Sequence, residues 1–185
     1  NGGGQASLLS EAALVARSAL VLTISDGVTA GTRVDESGQA LADRLTALGF
    51  NVERAVTADE MEDIGRAVAS GSARADLVIC TGGTGLGPRD RTPQTLHGLL
   101  DYEIPGFGEQ MRAVSLRHVP TAILSRQLAG VRGRSLIINL PGKPAAIAEC
   151  LEAVFPAVPY CIDLIEGPFL TTDESVVKAF RPKQK

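Results

Sequence analysis

Residues 76–94 read DLVICTGGTGLGPRDRTPQ and contain the main signals of the fold. The run from Asp76 to Thr81 is short, apolar and rich in branched side chains, which is typical of a buried strand in a parallel sheet. It continues into a loop with four glycines, after which Thr92 and Pro93 suit the N-cap and the first position of a helix. A strand, a flexible loop and a helix in this order predict an α/β protein.

The same alternation continues on both sides of this segment. Three further runs predict strands: ALVLTIS at 19–25, NVERAV at 51–56, and SLIINLPG at 135–142, which ends in a turn. Apolar residues at helical spacing follow three of the four predicted strands, and a further stripe precedes the last one. These stripes are Leu41, Leu45 and Leu48, in a helix from Ser37 to a capping Gly49; Met61, Ile64 and Val68, in a helix from Asp59; Phe107, Met111 and Val114; and Ile147, Leu151 and Val154, after Pro144. Right-handed crossovers then predict a three-layer α/β/α sandwich with a mostly parallel sheet.

Length and composition fit one domain. With 185 residues, 44% of them hydrophobic, the chain can bury a substantial core. We expect a flexible leader over 1–16, one domain over 17–182 and a short tail over 183–185. Cys80, Cys150 and Cys161 lack C-x-x-C spacing, so we expect buried free thiols in a reducing compartment, with the cytoplasm as the location.

The charge distribution excludes some classes of partner. A net charge of −3 argues against a general nucleic-acid-binding protein, because such proteins need a basic surface. From Arg89 to Lys143, however, eight basic residues outnumber four acidic ones, which suits a small anionic ligand. No run of about 18 apolar residues stands out, so we expect no membrane span.

Ligands of open α/β sheets bind beyond the carboxyl ends of the strands. Three predicted strands end in polar or glycine-rich sequence: Ser25-Asp26, the loop after Thr81, and LPGKP at 140–144. We therefore expect these three ends to converge. The glycine-rich loop matches neither the P-loop nor the dinucleotide-binding pattern. Two interpretations of it carry equal weight: its backbone N–H groups hold a phosphate, or it is a tight structural turn.

Two acidic residues have both a binding and a structural interpretation. Asp90 lies between Arg89 and Arg91 and either holds Mg²⁺ on a polyphosphate or is an exposed charge paired with a neighbouring arginine. Asp59 begins a D-x-x-E box, which helix capping alone explains. Capping and ligand binding are compatible in one residue.

Five more candidates lie near predicted strand ends or in loops. Ser25 and Asp26 either bind a ligand or stabilise a turn. Ser125 and Arg126 suit a phosphate or a planar heterocycle, or else form a surface loop. Lys143 either reaches a phosphate or is a solvated surface side chain. From the residues alone, the sequence predicts a cytosolic α/β protein that binds a phosphorylated small molecule together with Mg²⁺.

Three longer motifs, in a fixed order, carry a family resemblance: TGGTGLGPRDRTPQ from residue 81, IPGFGEQMRAVSLRHVPTAILSRQLAG from residue 104 and LIINLPGKPAAIAECLEAVFPAVPYCIDLIEGP from residue 136. They resemble the molybdopterin adenylyltransferase family of molybdenum cofactor biosynthesis, namely bacterial Mog and the G domains of plant Cnx and animal gephyrin. The likeness extends from Ser25 nearly to Arg181.

This resemblance implies a Mog-like, molybdopterin-binding form of the three-layer fold, usually a homotrimer. It also implies a reaction in which the terminal phosphate of molybdopterin attacks the α-phosphate of MgATP, giving adenylylated molybdopterin and pyrophosphate. A downstream molybdenum-insertion protein is an implied partner, whereas nucleic acid and membranes are not. The alternatives within this fold are a molybdenum-insertase domain, a competence-damage-type protein, or a noncatalytic molybdopterin-binding or scaffold module.

The resemblance also implies roles for matched residues. Asp59 and Asp90 correspond to acidic residues that matter for activity and for handling the Mg²⁺-nucleotide. The remaining matched positions are implied to bind substrate: Ser25 and Asp26, then Gly82, Gly83, Thr84 and Gly85 in the loop, Ser125, and Pro141, Gly142 and Lys143. Arg126 joins this substrate-binding set through the phosphate-binding chemistry of its guanidinium. Gln94 departs from the family, which commonly has Glu or Asp at that position.

Overall fold

The computed structural model describes residues 18–184. The predicted leader over 1–16 lies outside this range, and so does Lys185 at the end of the predicted tail. The described residues form six β-strands and seven α-helices. The strands are β1 Ser18–Ile24, β2 Asn51–Thr57, β3 Leu77–Thr81, β4 Tyr102–Glu103, β5 Ala129–Arg132 and β6 Ser135–Leu140. The helices are α1 Asp26–Thr29, α2 Glu36–Ala47, α3 Met61–Ser72, α4 Thr92–Leu99, α5 Pro105–Leu116, α6 Pro144–Val154 and α7 Val158–Leu164. Two 3-10 helices cover Pro120–Leu124 and Phe155–Ala157.

The strands form one sheet in the order β2-β1-β3-β6-β5-β4. Neighbouring strands from β2 to β6 are parallel, while β5 runs antiparallel to β6 and β4 antiparallel to β5. The predicted mostly parallel sheet is confirmed. The sequence did not predict β4 and β5 because they have only two and four residues, too few to show a strand period. Gly130 in β5 also hides the pattern; a side chain there would overlap the carbonyl oxygen of Tyr102.

Side chains on the two faces of the sheet belong to separate apolar clusters, which makes the three layers. Leu20 and Leu22 of β1 point into one cluster with Ile64 and Val68 of α3. Val21 of the same strand points into the other, which contains residues of α2, α5, α6 and α7. This alternation along one strand follows from the two-residue period of β-structure. The predicted three-layer sandwich is confirmed, with the central strands buried on both faces.

Helix boundaries correct two predictions. The helix predicted to begin at Asp59 begins at Met61, and its N-cap residue Glu60 makes no side-chain capping bond. Asp59 is therefore not the cap of this helix, because its carboxylate instead accepts a hydrogen bond from the backbone N–H of Asp26. Thr92 was predicted as an N-cap, but Arg91 holds that position and Thr92 is the first helical residue. Gly49 follows α2 as predicted, with a φ of 103°.

One segment of the described chain, Pro144–Leu164, is long and apolar enough to cross a membrane by length and composition. Charged residues interrupt the apolar run in the sequence, so no membrane span was expected there. In the fold, this segment is α6, a 3-10 turn and α7, and it contributes Ile147, Leu151, Phe155 and Ile162 to the apolar core. The structure therefore accounts for its hydropathy by packing against the sheet.

Candidate active site

The three strand ends predicted to converge do so. Their strands β1, β3 and β6 are adjacent in the sheet. The backbone N–H of Gly82 after β3 donates to the carbonyl of Leu140 at the end of β6, at 3.1 Å. On its other side, the α-carbon of Gly82 faces the carbonyl of Ile24 at the end of β1, and a side chain there would overlap that oxygen. The candidate site is therefore the carboxyl edge of the parallel strands.

The glycine-rich loop, residues 82–91, turns tightly between β3 and α4. Gly82 and Gly83 have φ angles of 99° and 69°, which side-chain-bearing residues adopt only at an energetic cost. A side chain at Gly83 would also overlap the hydroxyl of Thr92, and a β-carbon at Gly85 would lie 2.7 Å from Asp90 Oδ2. The structural-turn interpretation thus explains these glycines. Phosphate binding by the same loop, with Thr84 in it, stays a prediction.

Two polar side chains, those of Asn139 and Thr92, are buried beneath the backbone of the glycine-rich loop. The Asn139 side-chain amide in β6 donates to the carbonyl of Gly82 at 3.3 Å. Its Oδ1 atom and the Thr92 hydroxyl oxygen are buried without a hydrogen-bond partner within the described range 18–184. Neither residue was predicted to belong to the site, because Asn139 lies inside an apolar strand pattern and Thr92 was expected only as a helix N-cap.

Asp26 and Asp59 are tied together by two reciprocal hydrogen bonds. The backbone N–H of Asp26 donates to Asp59 Oδ2, and that of Asp59 donates to Asp26 Oδ1, both at 2.9 Å. The bond from the Asp59 backbone, together with Arg89, lowers the pKa of Asp26. Burial raises the pKa of Asp59, and the neighbouring carboxylates of Asp26 and Asp90 raise it further. The pKa values of these two neighbouring carboxyl groups are thereby shifted in opposite directions.

Arg89 connects the glycine-rich loop to the ends of β1 and β2. Its Nη2 lies 2.9 Å from Asp26 Oδ2, and its Nη1 lies 2.7 Å from Glu60 Oε1. Arg91 contacts the other oxygen of Glu60 at 3.3 Å. Glu60 was not predicted to belong to the site, although it directly follows Asp59 in the sequence. The carboxylates of this edge are therefore matched by two guanidinium groups from the loop.

Asp90 does not pair with its neighbouring arginines, so that interpretation of it is wrong. Its Oδ2 accepts a hydrogen bond from the backbone N–H of Gly87 at 2.9 Å, while Arg89 and Arg91 turn to other acids. The negative charge of Asp90 adds a small contribution to the raised pKa of Asp59. Their predicted joint handling of Mg²⁺ stays a prediction.

Ser125 and Arg126 lie against the outer side of the loop. The Ser125 hydroxyl is 3.4 Å from that of Thr84 and bonds to the side chain of Gln127. The guanidinium of Arg126 donates to the carbonyls of Gly85 and Asp90. Both residues lie in a partly buried loop that contacts the glycine-rich loop, so the surface-loop interpretation describes their location. Their predicted substrate contacts stay predictions.

Pro141, Gly142 and Lys143 follow β6 and complete the edge. Gly142 packs on Gly82, since a β-carbon on Gly142 would lie 3.3 Å from the α-carbon of Gly82. Its carbonyl accepts a hydrogen bond from the hydroxyl of Ser37 at 2.6 Å. Lys143 is exposed at the N-cap of α6. The Lys143 side chain is exposed, so its ammonium group is accessible to an anionic ligand.

Two surface cavities have volumes of about 550 and 500 Å³. One is beside Asp35 and Arg54, and the other is beside Phe169 and Arg181. No predicted site residue lines either of them, so the convergence of strand ends, and not cavity size, defines the candidate site.

The donor set suits a magnesium ion that arrives with a polyphosphate. Across residues 18–184, no group of three or more His, Cys, Asp or Glu side chains is placed to hold a metal by itself. Magnesium is commonly bound by one or two carboxylates together with substrate phosphates and water. Asp59 and Asp90 would supply carboxylates of that kind if the predicted magnesium binds here.

A parallel sheet with a glycine-rich loop and carboxylates at its strand ends has the arrangement at which α/β proteins commonly bind phosphorylated small molecules. Residues 20–160 match the family described as "Probable molybdopterin binding domain". The chain belongs to this family, as its motifs suggested.

Individual relatives agree. The chain is 49% identical to the molybdopterin adenylyltransferase of Helicobacter pylori strain J99 over 171 residues, which cover 89% of this chain and 96% of that protein. It is 43% identical to that of Escherichia coli K12, over 88% and 92% of the two chains. The solved structure of the molybdopterin biosynthesis Mog protein from Mycobacterium ulcerans superposes with a TM-score of 0.77 at 38% identity, over 81% and 99% of the chains. The predicted Mog-like fold is confirmed.

Proposed function

We propose that this protein is a molybdopterin adenylyltransferase. A terminal phosphate oxygen of molybdopterin attacks the α-phosphorus of ATP, and the bond from that phosphorus to the bridging oxygen of pyrophosphate breaks. The products are adenylylated molybdopterin and pyrophosphate. The observation that carries the proposal is the convergence of the glycine-rich loop with Asp26, Asp59 and Asp90, in a chain 49% identical to a molybdopterin adenylyltransferase.

The chain's own residues act by positioning and by balancing charge, since nucleotidyl transfer needs little covalent help from a protein. Backbone N–H groups of Gly83, Thr84 and Gly85 hold phosphate oxygens. Gly82, whose own N–H bonds to Leu140, sets the turn that presents them, and Lys143 adds a positive charge. Ser125 orients molybdopterin through its hydroxyl, beside Thr84.

Asp59 and Asp90 would hold magnesium, which neutralises charge on the polyphosphate when it is bound. Asp26 fixes the Asp59 carboxylate through its backbone N–H. Arg89 and Arg91 supply the positive charge that keeps this group of acids together in the absence of ligand.

The proposal includes the finer expectations of the family resemblance. The protein works as a cytoplasmic homotrimer with MgATP and passes its product to a molybdenum-insertion protein. It uses neither nucleic acid nor a membrane. The negative net charge supports the first of these exclusions.

Release of pyrophosphate tests the reaction. The purified full chain is incubated with molybdopterin, Mg²⁺ and ATP labelled at the α-phosphate, and both products are measured. We expect label in the pterin fraction and an equal amount of pyrophosphate, with neither formed when molybdopterin is omitted. Tight molybdopterin binding without either product would overturn the enzyme and leave the noncatalytic binding module.

A further inference from the structure

Arg126 contacts the glycine-rich loop at three residues and helix α4 at a fourth. Its backbone N–H donates to the carbonyl of Thr84 at 2.9 Å. Its guanidinium donates twice to the carbonyl of Gly85, from Nε at 2.8 Å and from Nη2 at 2.6 Å. Nη2 also donates to the carbonyl of Asp90 at 2.8 Å, and Nη1 donates to Oε1 of Gln94 at 3.1 Å. One arginine thus joins the start of the loop, its end and the first turn of α4.

Few of its hydrogen-bond donors remain for a ligand. An arginine guanidinium has five N–H donors and no acceptor. Arg126 uses four guanidinium hydrogen bonds on the protein itself, three of them to backbone carbonyls. A guanidinium that bound a phosphate in the usual two-pronged way would need two free, parallel N–H groups. The geometry does not leave them.

The contacts of Arg126 determine where Asp90 lies. The Asp90 carbonyl is held by Arg126, and its carboxylate accepts from the backbone of Gly87. Arg126 donates twice to the carbonyl of Gly85, and the α-carbon of Gly85 faces the Asp90 carboxylate. Movement of either carbonyl would therefore displace the carboxylate.

We propose that Arg126 is a positioning residue, which holds residues 85–90 in one conformation and so keeps the Asp90 carboxylate aligned, instead of binding substrate itself. This inference rests on the proposed function for its effect on turnover. Its effect on the loop is independent of that function. Among residues 18–184, Gln94 is the one side chain that accepts a hydrogen bond from the Arg126 guanidinium, so this departure from the family takes part in the same contacts.

The test compares Arg126→Ala and Arg126→Lys with a matched control, Arg132→Ala. Arg132 is also partly buried and also donates to a backbone carbonyl, that of Leu99, but it lies away from the loop. For Arg126→Ala we expect kcat to fall about 100-fold, as a small misplacement of a reacting group does, while KM for molybdopterin and for MgATP stays within about threefold. Arg126→Lys, which lacks the planar fork, should recover only part of kcat. Free guanidinium ion added to Arg126→Ala should restore at least part of the lost turnover.

Amide hydrogen exchange gives a second readout that needs no substrate. In Arg126→Ala, the amide of Gly87, which bonds to Asp90, should exchange faster, while the amides of β3 and β6 keep wild-type rates. Faster exchange throughout the chain would identify a general folding defect and overturn the positioning role. A large increase in KM for one substrate, with kcat and loop exchange unchanged, would overturn it in favour of a direct ligand contact. If the wild-type protein makes no product, the proposed function fails, whereas local exchange at Gly87 still decides the positioning role.

Discussion

The two sides of the glycine-rich loop are held in opposite ways. On the acidic side, formed by Asp26, Asp59 and Glu60, the loop is held by ion pairs of Arg89, whose side chain is 48% exposed. On the clamp side, formed by Arg126 and Gln94, it is held mainly by hydrogen bonds to backbone carbonyls. Exposed ion pairs contribute about 0–1 kcal/mol and exchange readily with solvent or ligand. One side is suited to rearrange around a charged substrate, and the other is suited to stay fixed.

Asp90 lies between the two sides, and removing its charge should have the largest effect. Asp90→Asn keeps an oxygen that accepts from Gly87, so the loop conformation should survive. Loss of the negative charge beside the nucleotide should lower turnover by about 100-fold or more, the scale seen when one electrostatic contact to a transition state is removed. Pyrophosphate release and molybdopterin titration measure turnover and binding separately. Equal losses of turnover and of molybdopterin binding would contradict a role of the Asp90 charge in turnover alone.

A substitution at Gly83 should destabilise the tight conformation of the glycine-rich loop. Alanine there must adopt a φ of 69° and would overlap the hydroxyl of the buried Thr92, so we expect the free energy of unfolding to fall by about 1–3 kcal/mol. Gly98→Ala is the matched control. Gly98 lies in α4 with open space around its α-carbon, and alanine should stabilise the helix there by about 0.5–1 kcal/mol. Urea unfolding of both variants checks the pair; similar changes in both would show that the loop tolerates rearrangement at its tightest turn.

Sequence patterns predicted the parts of this molecule that depend on local signals. Continuous apolar runs located β1, β3 and β6, and parallel order then required their ends to meet at one edge. The contacts that hold the loop are not local. Asp26 and Asp59 are 33 positions apart, and Arg126 is 41 positions from Gly85. A D-x-x-E pattern is the same for a helix cap and for an acid that turns to another strand end. The contact of Asp59 could therefore be determined only from the fold.

The acidic side can be tested by its response to pH. Burial raises the pKa of Asp59, so the folded state binds that proton more tightly than the unfolded chain does. Its contribution to stability is then fullest below the ordinary carboxyl pKa of about 3.9 and is lost as the pH rises through the raised value. Asp59→Asn keeps a side-chain oxygen for the Asp26 N–H and removes the ionisation. We expect this variant to be more stable than the wild type at pH 7, with the difference shrinking toward pH 3.

Asp26→Asn is the control with the opposite sign. The bond from the Asp59 backbone, together with Arg89, lowers the pKa of Asp26, so its charge stabilises the fold above the ordinary carboxyl pKa, and that stability is lost as the pH falls. This variant should be less stable than the wild type at pH 7 and should approach it in acid. Urea unfolding across pH, without magnesium, measures both. If both variants change the free energy of unfolding in the same direction at pH 7, the pKa values of Asp59 and Asp26 are not shifted in opposite directions.

The smallest effect is expected at Gln94, where a substitution alters a single contact of the clamp side. Gln94→Glu would give Arg126 a charged acceptor and would place the first acidic residue in the opening turn of α4, which has none. A charge-assisted bond and a negative charge near a helix N-terminus are each worth a few tenths of a kcal/mol when partly exposed, so we expect about 0.5 kcal/mol of added stability. Gln94→Ala, which removes the acceptor, should lose a similar amount. If the clamp side is as rigid as its backbone contacts imply, Gln94→Glu will slow hydrogen exchange at Gly87 without changing kcat. A change in kcat without a change in exchange would instead place Gln94 in contact with substrate.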